Sequence, residues 1–129
     1  MLARTLVGTL LLAHGAVHLL YLMPAPENDA SWPFGLDESW VVPASARRGV
    51  GFTAAVAIAV VYLLVALAIW GVPGLDGWLR SLLIGGSVVS LALFGAYWHP
   101  WLSIGTGIAI GLLMVTVVRY EWWERLIGS

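Results

Sequence analysis

Apolar residues fill three stretches of this chain that no charged side chain interrupts. Residues 5–26, 49–75 and 81–118 contain no Arg, Lys, Asp or Glu, and each is long enough for a helix across a lipid bilayer. The last is too long for one crossing, because a helix over 81–118 would rise roughly 57 Å against a hydrocarbon core of about 30 Å. Pro100 disfavours helical geometry at His99 and removes a backbone donor. The pattern therefore predicts four helices, near 3–23, 50–72, 79–98 and 101–121.

The composition agrees with a membrane protein. Hydrophobic residues make up 60% of the 129 residues and charged residues 10%, which lies outside the range of soluble globular domains. We predict an all-α integral membrane protein whose residues 1–129 form a single transmembrane domain, a four-helix bundle with an outer interfacial loop over 24–49. The net charge of −1 and the lack of cysteine exclude a basic nucleic-acid-binding surface and thiol chemistry.

The arginines predict the orientation, since the chain has no lysine and cytoplasmic segments carry the excess of positive charge. Four arginines fall on one side of the predicted helices and two on the other. Both termini are therefore expected in the cytoplasm, and the protein in the cytoplasmic membrane of a prokaryote. We expect no cleavable signal peptide, because the first apolar run is long enough to span. The two groups are Arg4, Arg80, Arg119 and Arg125, against Arg47 and Arg48.

Small residues recur on single faces of the predicted helices. Helices in lipid associate by close packing, which small side chains permit. The candidate packing glycines are Gly8, Gly15, Gly51, Gly85, Gly107 and Gly111. Besides membrane lipid, the same faces could pack against a second copy of the chain or against a larger membrane complex.

Three histidines form the candidate site. His14 and His18 are four residues apart and share one helix face, roughly 15 and 21 Å along the first helix from Arg4, while His99 lies at the predicted turn. All three belong to the outer half of the predicted bundle. Ionisable groups in a span indicate function by default, but each ring could instead bond a backbone carbonyl or a Ser or Thr hydroxyl between helices.

Several ligands suit such a site, and the cofactor stays open. A quinone-like or lipid ligand is favoured, because its headgroup needs only a donor or proton partner in an apolar cleft. A metal bound by His14, His18 and His99 comes second. Haem comes third, because it needs His99 opposite one histidine of the pair. Aromatic residues near the histidines complete the candidate ligand-binding set: Tyr21, Trp98 and Trp101.

The outer loop is long and rich in proline, and its apolar side chains argue against a solvated linker. Loops of this length are often functional, so we predict that it lies on the membrane interface or folds over the mouth of the bundle as a lid. The candidate lid residues are Trp32, Phe34, Asp37, Glu38 and Trp40.

The first helix, "RTLVGTLLLAHGAVH", resembles the opening of DoxX-like four-helix membrane proteins. Arg4, Gly8, His14 and Gly15 match that opening in type and spacing, and His18 stands where a lysine is usual. The resemblance covers some fifteen residues and implies a link to quinol oxidase and thiosulfate–quinone systems. Two hypotheses follow: a redox-associated protein with an outer histidine pocket for a quinone-like or other apolar ligand, or a non-catalytic accessory subunit of a larger complex.

Overall fold

The computed structural model describes residues 1–29 and 31–128, so Ala30 of the predicted loop and Ser129 at the end of the predicted domain lie outside the described residues. All regular structure in this part of the chain is helical. Short 3₁₀ turns follow α1 over His18–Leu22 and precede α3 and α4 over Asp76–Trp78 and Pro100–Leu102. The helices are α1 Leu2–Val17, α2 Arg47–Trp70, α3 Leu79–Ala96, α4 Ser103–Val118 and α5 Glu121–Ile127.

Four helical segments are long and apolar enough to cross a membrane: Leu2–Leu22, Arg47–Trp70, Asp76–Ala96 and Pro100–Val118. The prediction of four such helices with a turn at Pro100 is confirmed. The first tightens into a 3₁₀ turn at His18 and ends at Met23, whose extended backbone is the conformation that a following proline favours. The second ends at Gly71, which has φ +92° and closes the helix with two backbone bonds typical of a left-handed glycine cap.

Successive long helices pack against each other in antiparallel directions, α1 on α2, α2 on α3 and α3 on α4. We call the end of the bundle with Met1, the α2–α3 turn and α5 the terminal end, and the end with segment 23–46 and the α3–α4 turn the loop end. Contacts between helix ends show these directions. They join Arg4 to Ile69, Arg47 to Tyr97 and Phe94 to Gly105.

Some of the predicted packing glycines lie at close contacts and others do not. A side chain at Gly8 or Gly15 would collide with Trp70 or Tyr62, so the α1–α2 seam requires the small residue. A side chain at Gly51 would collide with Leu36 of segment 23–46. The chain does not pack closely against Gly85, Gly107 or Gly111, where an added Cβ meets nothing within 4 Å. On α3 the contact with α2 falls one residue later, at Gly86. On α4 the face that meets α3 carries Gly105 instead.

The fourth helix ends earlier than predicted, at Val118 instead of 121, and the chain then turns into α5. Trp123 of α5 is buried, and its indole Nε1 donates to the hydroxyl of Thr116 over 3.1 Å. This bond folds α5 back against the end of α4. The sequence did not predict this bend. The apolar stretch ends at Arg119, and the tryptophans that follow suit the membrane interface whether the helix continues straight or turns.

Candidate functional site

His18 is fully buried between α1 and α3, and both of its ring nitrogens have partners. Nδ1 lies 3.0 Å from the backbone oxygen of His14, and Nε2 lies 2.6 Å from the hydroxyl of Ser90. Because a carbonyl only accepts, Nδ1 donates and Nε2 of the neutral ring accepts from Ser90. The ring also stacks on Phe94 with centroids 4.9 Å apart. His18 therefore has no free nitrogen for a metal or a ligand.

His14 lies beside His18 but has a different environment. Its ring is edge-on to His18 and Tyr62, with centroids 5.2 and 5.0 Å away. Its Nε2 is buried and has no hydrogen-bond partner among the described residues. The residue also lines a cleft between α1 and α4.

His99 lies at the loop end and has its contacts in its own turn, where Nδ1 accepts from the backbone nitrogen of Trp101 over 3.2 Å. It lines a polar cleft of about 320 Å³ together with Asp29, Glu38 and Trp98. No group of three or more His, Cys, Asp or Glu side chains in the described residues could hold a metal ion. The three histidines thus do not form the metal-ligand set considered from the sequence. The haem pair does not form either, because both nitrogens of His18 are engaged and His99 and His14 line different cavities.

A second cavity at the loop end brings together residues from the predicted site and the predicted lid. This loop-end pocket, of about 180 Å³, lies between the end of α1, the start of α2 and segment 23–46. Tyr21 and Trp32 line it, and Phe34 contacts both rings edge-on at 5.2 and 5.5 Å. The Tyr21 hydroxyl and the Trp32 Nε1 are both buried and have no hydrogen-bond partner among the described residues. Buried polar hydrogens without partners are rare and costly.

The lining of the loop-end pocket includes both charged and apolar residues. Arg48 and Asp37 form an exposed ion pair at 3.8 Å. Leu22, Met23 and Phe52 expose apolar surface. A bound molecule could therefore meet both charged and apolar groups.

Hydrogen bonds hold segment 23–46 against the ends of α2 and α3 at the loop end. Arg47 donates to the backbone oxygens of residues 37, 39 and 42. The Ser39 hydroxyl and the Trp40 indole donate to the backbone oxygens of Ala96 and Gly95 at the end of α3. Burial raises the pKa of the Tyr97 hydroxyl, which stays protonated and donates to the backbone oxygen of Arg47 over 2.6 Å.

The remaining aromatic candidates do not enter the loop-end pocket. Trp98 is exposed and lines the polar cleft beside His99. Trp101 is exposed over 72% of its surface. Both lie at the loop end, where the headgroup region of a bilayer would meet the bundle.

Two features of the structure were not predicted from the sequence. Ser90 is a hydrogen-bond partner of His18, although its sequence context only marks a small residue on α3. The cleft between α1 and α4 is lined at one end by Arg119 and Arg125, which the sequence used only to predict the orientation. The apolar pattern shows which residues enter lipid, but it does not show which pair of helices separates.

Comparison of the chain with protein-family models, curated proteins and solved structures finds no match.

Proposed function

We propose that this chain is a small integral membrane protein that binds a quinone-like ligand in the loop-end pocket, with the ring held by Tyr21 and Trp32. The observation that carries the proposal is that Tyr21 and Trp32 line one aromatic pocket at the end of an apolar bundle, and that the buried hydroxyl of Tyr21 and Nε1 of Trp32 have no partner among the described residues. A phenol O–H and an indole N–H both donate. The matching ligand presents oxygen acceptors on a flat ring, as a quinone does.

The shape of the pocket fits a ring better than a whole lipid. Its volume of about 180 Å³ is smaller than the roughly 300–1,000 Å³ of sites that enclose an entire drug-sized ligand. The ring would lie against Phe34 and Phe52, and an apolar tail would leave past Leu22 and Met23 into lipid. The segment held by Arg47 would then act as the lid predicted from the sequence.

Of the three histidines, His99 lines the cavity that shares a wall with the loop-end pocket. Trp32 belongs to both walls, and His99, Asp29 and Glu38 line the polar cleft on its other side. His99 therefore adjoins the proposed site without lining it. His18 instead holds α1 against α3.

Two features support the orientation and the redox association in this proposal: the distribution of arginines and the resemblance of the first helix. Four arginines lie at the terminal end and two at the loop end, so the terminal end belongs in the cytoplasm and the loop-end pocket opens to the outer leaflet. The resemblance to DoxX-like proteins at Arg4, Gly8, His14 and Gly15 supports an association with quinone-linked redox proteins in a prokaryotic cytoplasmic membrane.

Titration calorimetry of the detergent-solubilised protein with a short-chain ubiquinone analogue tests the proposal. Tyr21→Phe and Trp32→Phe should each raise Kd about 5- to 10-fold, because a lost hydrogen bond costs about 1 kcal/mol and 1.4 kcal/mol corresponds to tenfold. Trp101→Phe is the matched control, since Trp101 lies at the same end outside the pocket. Equal affinity of all four proteins, or no saturable binding, would refute the proposal.

A second function, that of an accessory subunit, is favoured by the exposure of α4. Ile104, Met114 and Val118 expose 77, 57 and 62% of their surfaces, and α4 packs chiefly on α3 among the long helices. The chain contains no cysteine, so a single Ile104→Cys can be cross-linked without background. Disulfide-linked dimers, or cross-links to another membrane protein, from Ile104→Cys but not from Val60→Cys on α2 would support this function. Absence of both products would exclude an interface at Ile104.

A further inference from the structure

A cleft of about 860 Å³ lies between α1 and α4. These two helices are not neighbours in the packing order α1, α2, α3, α4. The walls of the cleft are apolar, with Val7, Leu10 and Leu11 on α1 and Ile108 and Leu112 on α4. It runs from the level of His14 to α5.

The terminal end of the cleft is cationic. Arg119, Arg125 and Glu121 line it there, so two guanidinium groups face one carboxylate. Arg119 and Glu121 form an ion pair at 3.9 Å with both side chains largely exposed, and such pairs are weak. The bond between Trp123 and Thr116 fixes α5 across this end. The cleft therefore combines apolar walls with two guanidinium groups at its terminal end.

We propose that this cleft binds one acyl chain of an anionic phospholipid, with the lipid phosphate held by Arg119 and Arg125. Arginine presents paired N–H donors that match phosphate oxygens. The phosphate lies at the level of α5, where the exposed Trp122 ring suits the headgroup region. The chain extends from there along α1 and α4 toward His14.

The size of the cleft depends on Gly111. An added Cβ at this position meets nothing within 4 Å, and the residue lines the cleft. A larger side chain there would enter the space of the acyl chain without displacing a helix. Gly107 lies one turn away on α4, also has open space, and does not line the cleft. The two glycines form a matched pair for an experiment.

This site is independent of the proposed quinone function, because it lies at the opposite end of the bundle and shares no lining residue with the loop-end pocket. Failure of quinone binding therefore leaves the lipid proposal standing, and the reverse also holds.

The test is native mass spectrometry of the protein released from nanodiscs made of equal parts phosphatidylglycerol and phosphatidylcholine. The wild type should retain one phosphatidylglycerol at least fivefold more often than phosphatidylcholine. Gly111→Leu should lower retention of either lipid at least fivefold, and Gly107→Leu should behave as wild type. The double variant Arg119→Gln with Arg125→Gln should lose the preference, while Arg48→Gln at the loop end should keep it.

Two results would overturn the proposal. One is equal retention of the two lipids by the wild type. The other is equal retention by Gly111→Leu and Gly107→Leu, which would show that lipid contacts the protein without entering the cleft. Ile108→Trp fills the same cleft from another position and should reproduce the loss, so the outcome does not depend on one folded variant. Circular dichroism confirms equal helix content in the proteins compared.

Discussion

His18 illustrates how a polar residue in a membrane-spanning helix can hold the fold together. Its two nitrogens join the backbone of α1 to Ser90 of α3, across a bundle in which α1 otherwise packs on α2. In lipid the gain from burying apolar surface is small, so a hydrogen bond between helices contributes a larger share of the stability. His14, four residues earlier, has a free nitrogen and makes edge-on ring contacts instead.

Substitutions of the two histidines should therefore differ. His18→Leu should lower the free energy of unfolding by about 2 kcal/mol, because it breaks two bonds and leaves the buried hydroxyl of Ser90 without its partner. His14→Leu, the matched control, should change it by less than about 1 kcal/mol, since only ring contacts are lost. Unfolding in mixed micelles, followed by circular dichroism, measures both. Equal effects would mean that the bond to Ser90 does not stabilise the bundle.

The histidines also show the limit of inference from sequence at this scale. Their spacing placed His14 and His18 on one face, and the bonding of a histidine to a carbonyl and a hydroxyl was one of the two alternatives. Which nitrogen is engaged depends on the position of α3 relative to α1, and that is set by contacts distant in the chain. In the same way, the presence of Tyr21 and Trp32 in one pocket depends on the path of segment 23–46.

At the scale of elements, the α1–α2 seam depends on glycines. Gly15 lies against Tyr62, whose fully buried ring also contacts Ser87 and Gly86 of α3. A larger side chain at residue 15 would separate α1 from α2 and displace the centre of the core. Gly107 on α4 has no such neighbour.

Gly15→Leu should consequently destabilise the protein by roughly 1–3 kcal/mol, the range typical of overpacked cores. Gly107→Leu should be nearly neutral in the isolated protein, because its side chain enters open space. Thermal unfolding in detergent compares the two variants with the wild type. A loss of stability in Gly107→Leu as large as in Gly15→Leu would contradict the helix packing described above.

The elements themselves were largely predictable. Charge-free length predicted the four helices, and Pro100 predicted the turn between α3 and α4, because both follow from local chemistry and bilayer thickness. The spacing of small residues was a weaker guide: it identified the close contacts at Gly8, Gly15 and Gly51 but also marked Gly85, Gly107 and Gly111. Small residues permit close packing without requiring it, and α4 packs chiefly against one long helix, α3.

At the scale of the whole molecule, the arrangement separates two sites by the length of the bundle. Tyr21 and Trp32 line the loop-end pocket, and the α1–α4 cleft has apolar walls with Arg119 and Arg125 at its terminal end. The orientation proposed from the arginines assigns them to opposite leaflets.

This orientation predicts which residues an impermeant reagent reaches in intact cells. In the cysteine-free chain, Ala25→Cys in segment 23–46 should react with a membrane-impermeant maleimide, and Gly77→Cys in the α2–α3 turn should react only after lysis. Both positions are exposed. The reverse pattern would place the termini outside and the loop-end pocket in the cytoplasmic leaflet.

The most direct measurement of the central claim is photoaffinity labelling of the membrane-embedded protein with an azido-ubiquinone analogue, with adducts located by mass spectrometry. Adducts should fall on the aromatic and apolar residues of the loop-end pocket, chiefly between Tyr21 and Phe34 and at Phe52, and excess unlabelled ubiquinone should prevent them. Adducts confined to the α1–α4 cleft, or labelling that competitor does not reduce, would contradict a quinone site formed by Tyr21 and Trp32.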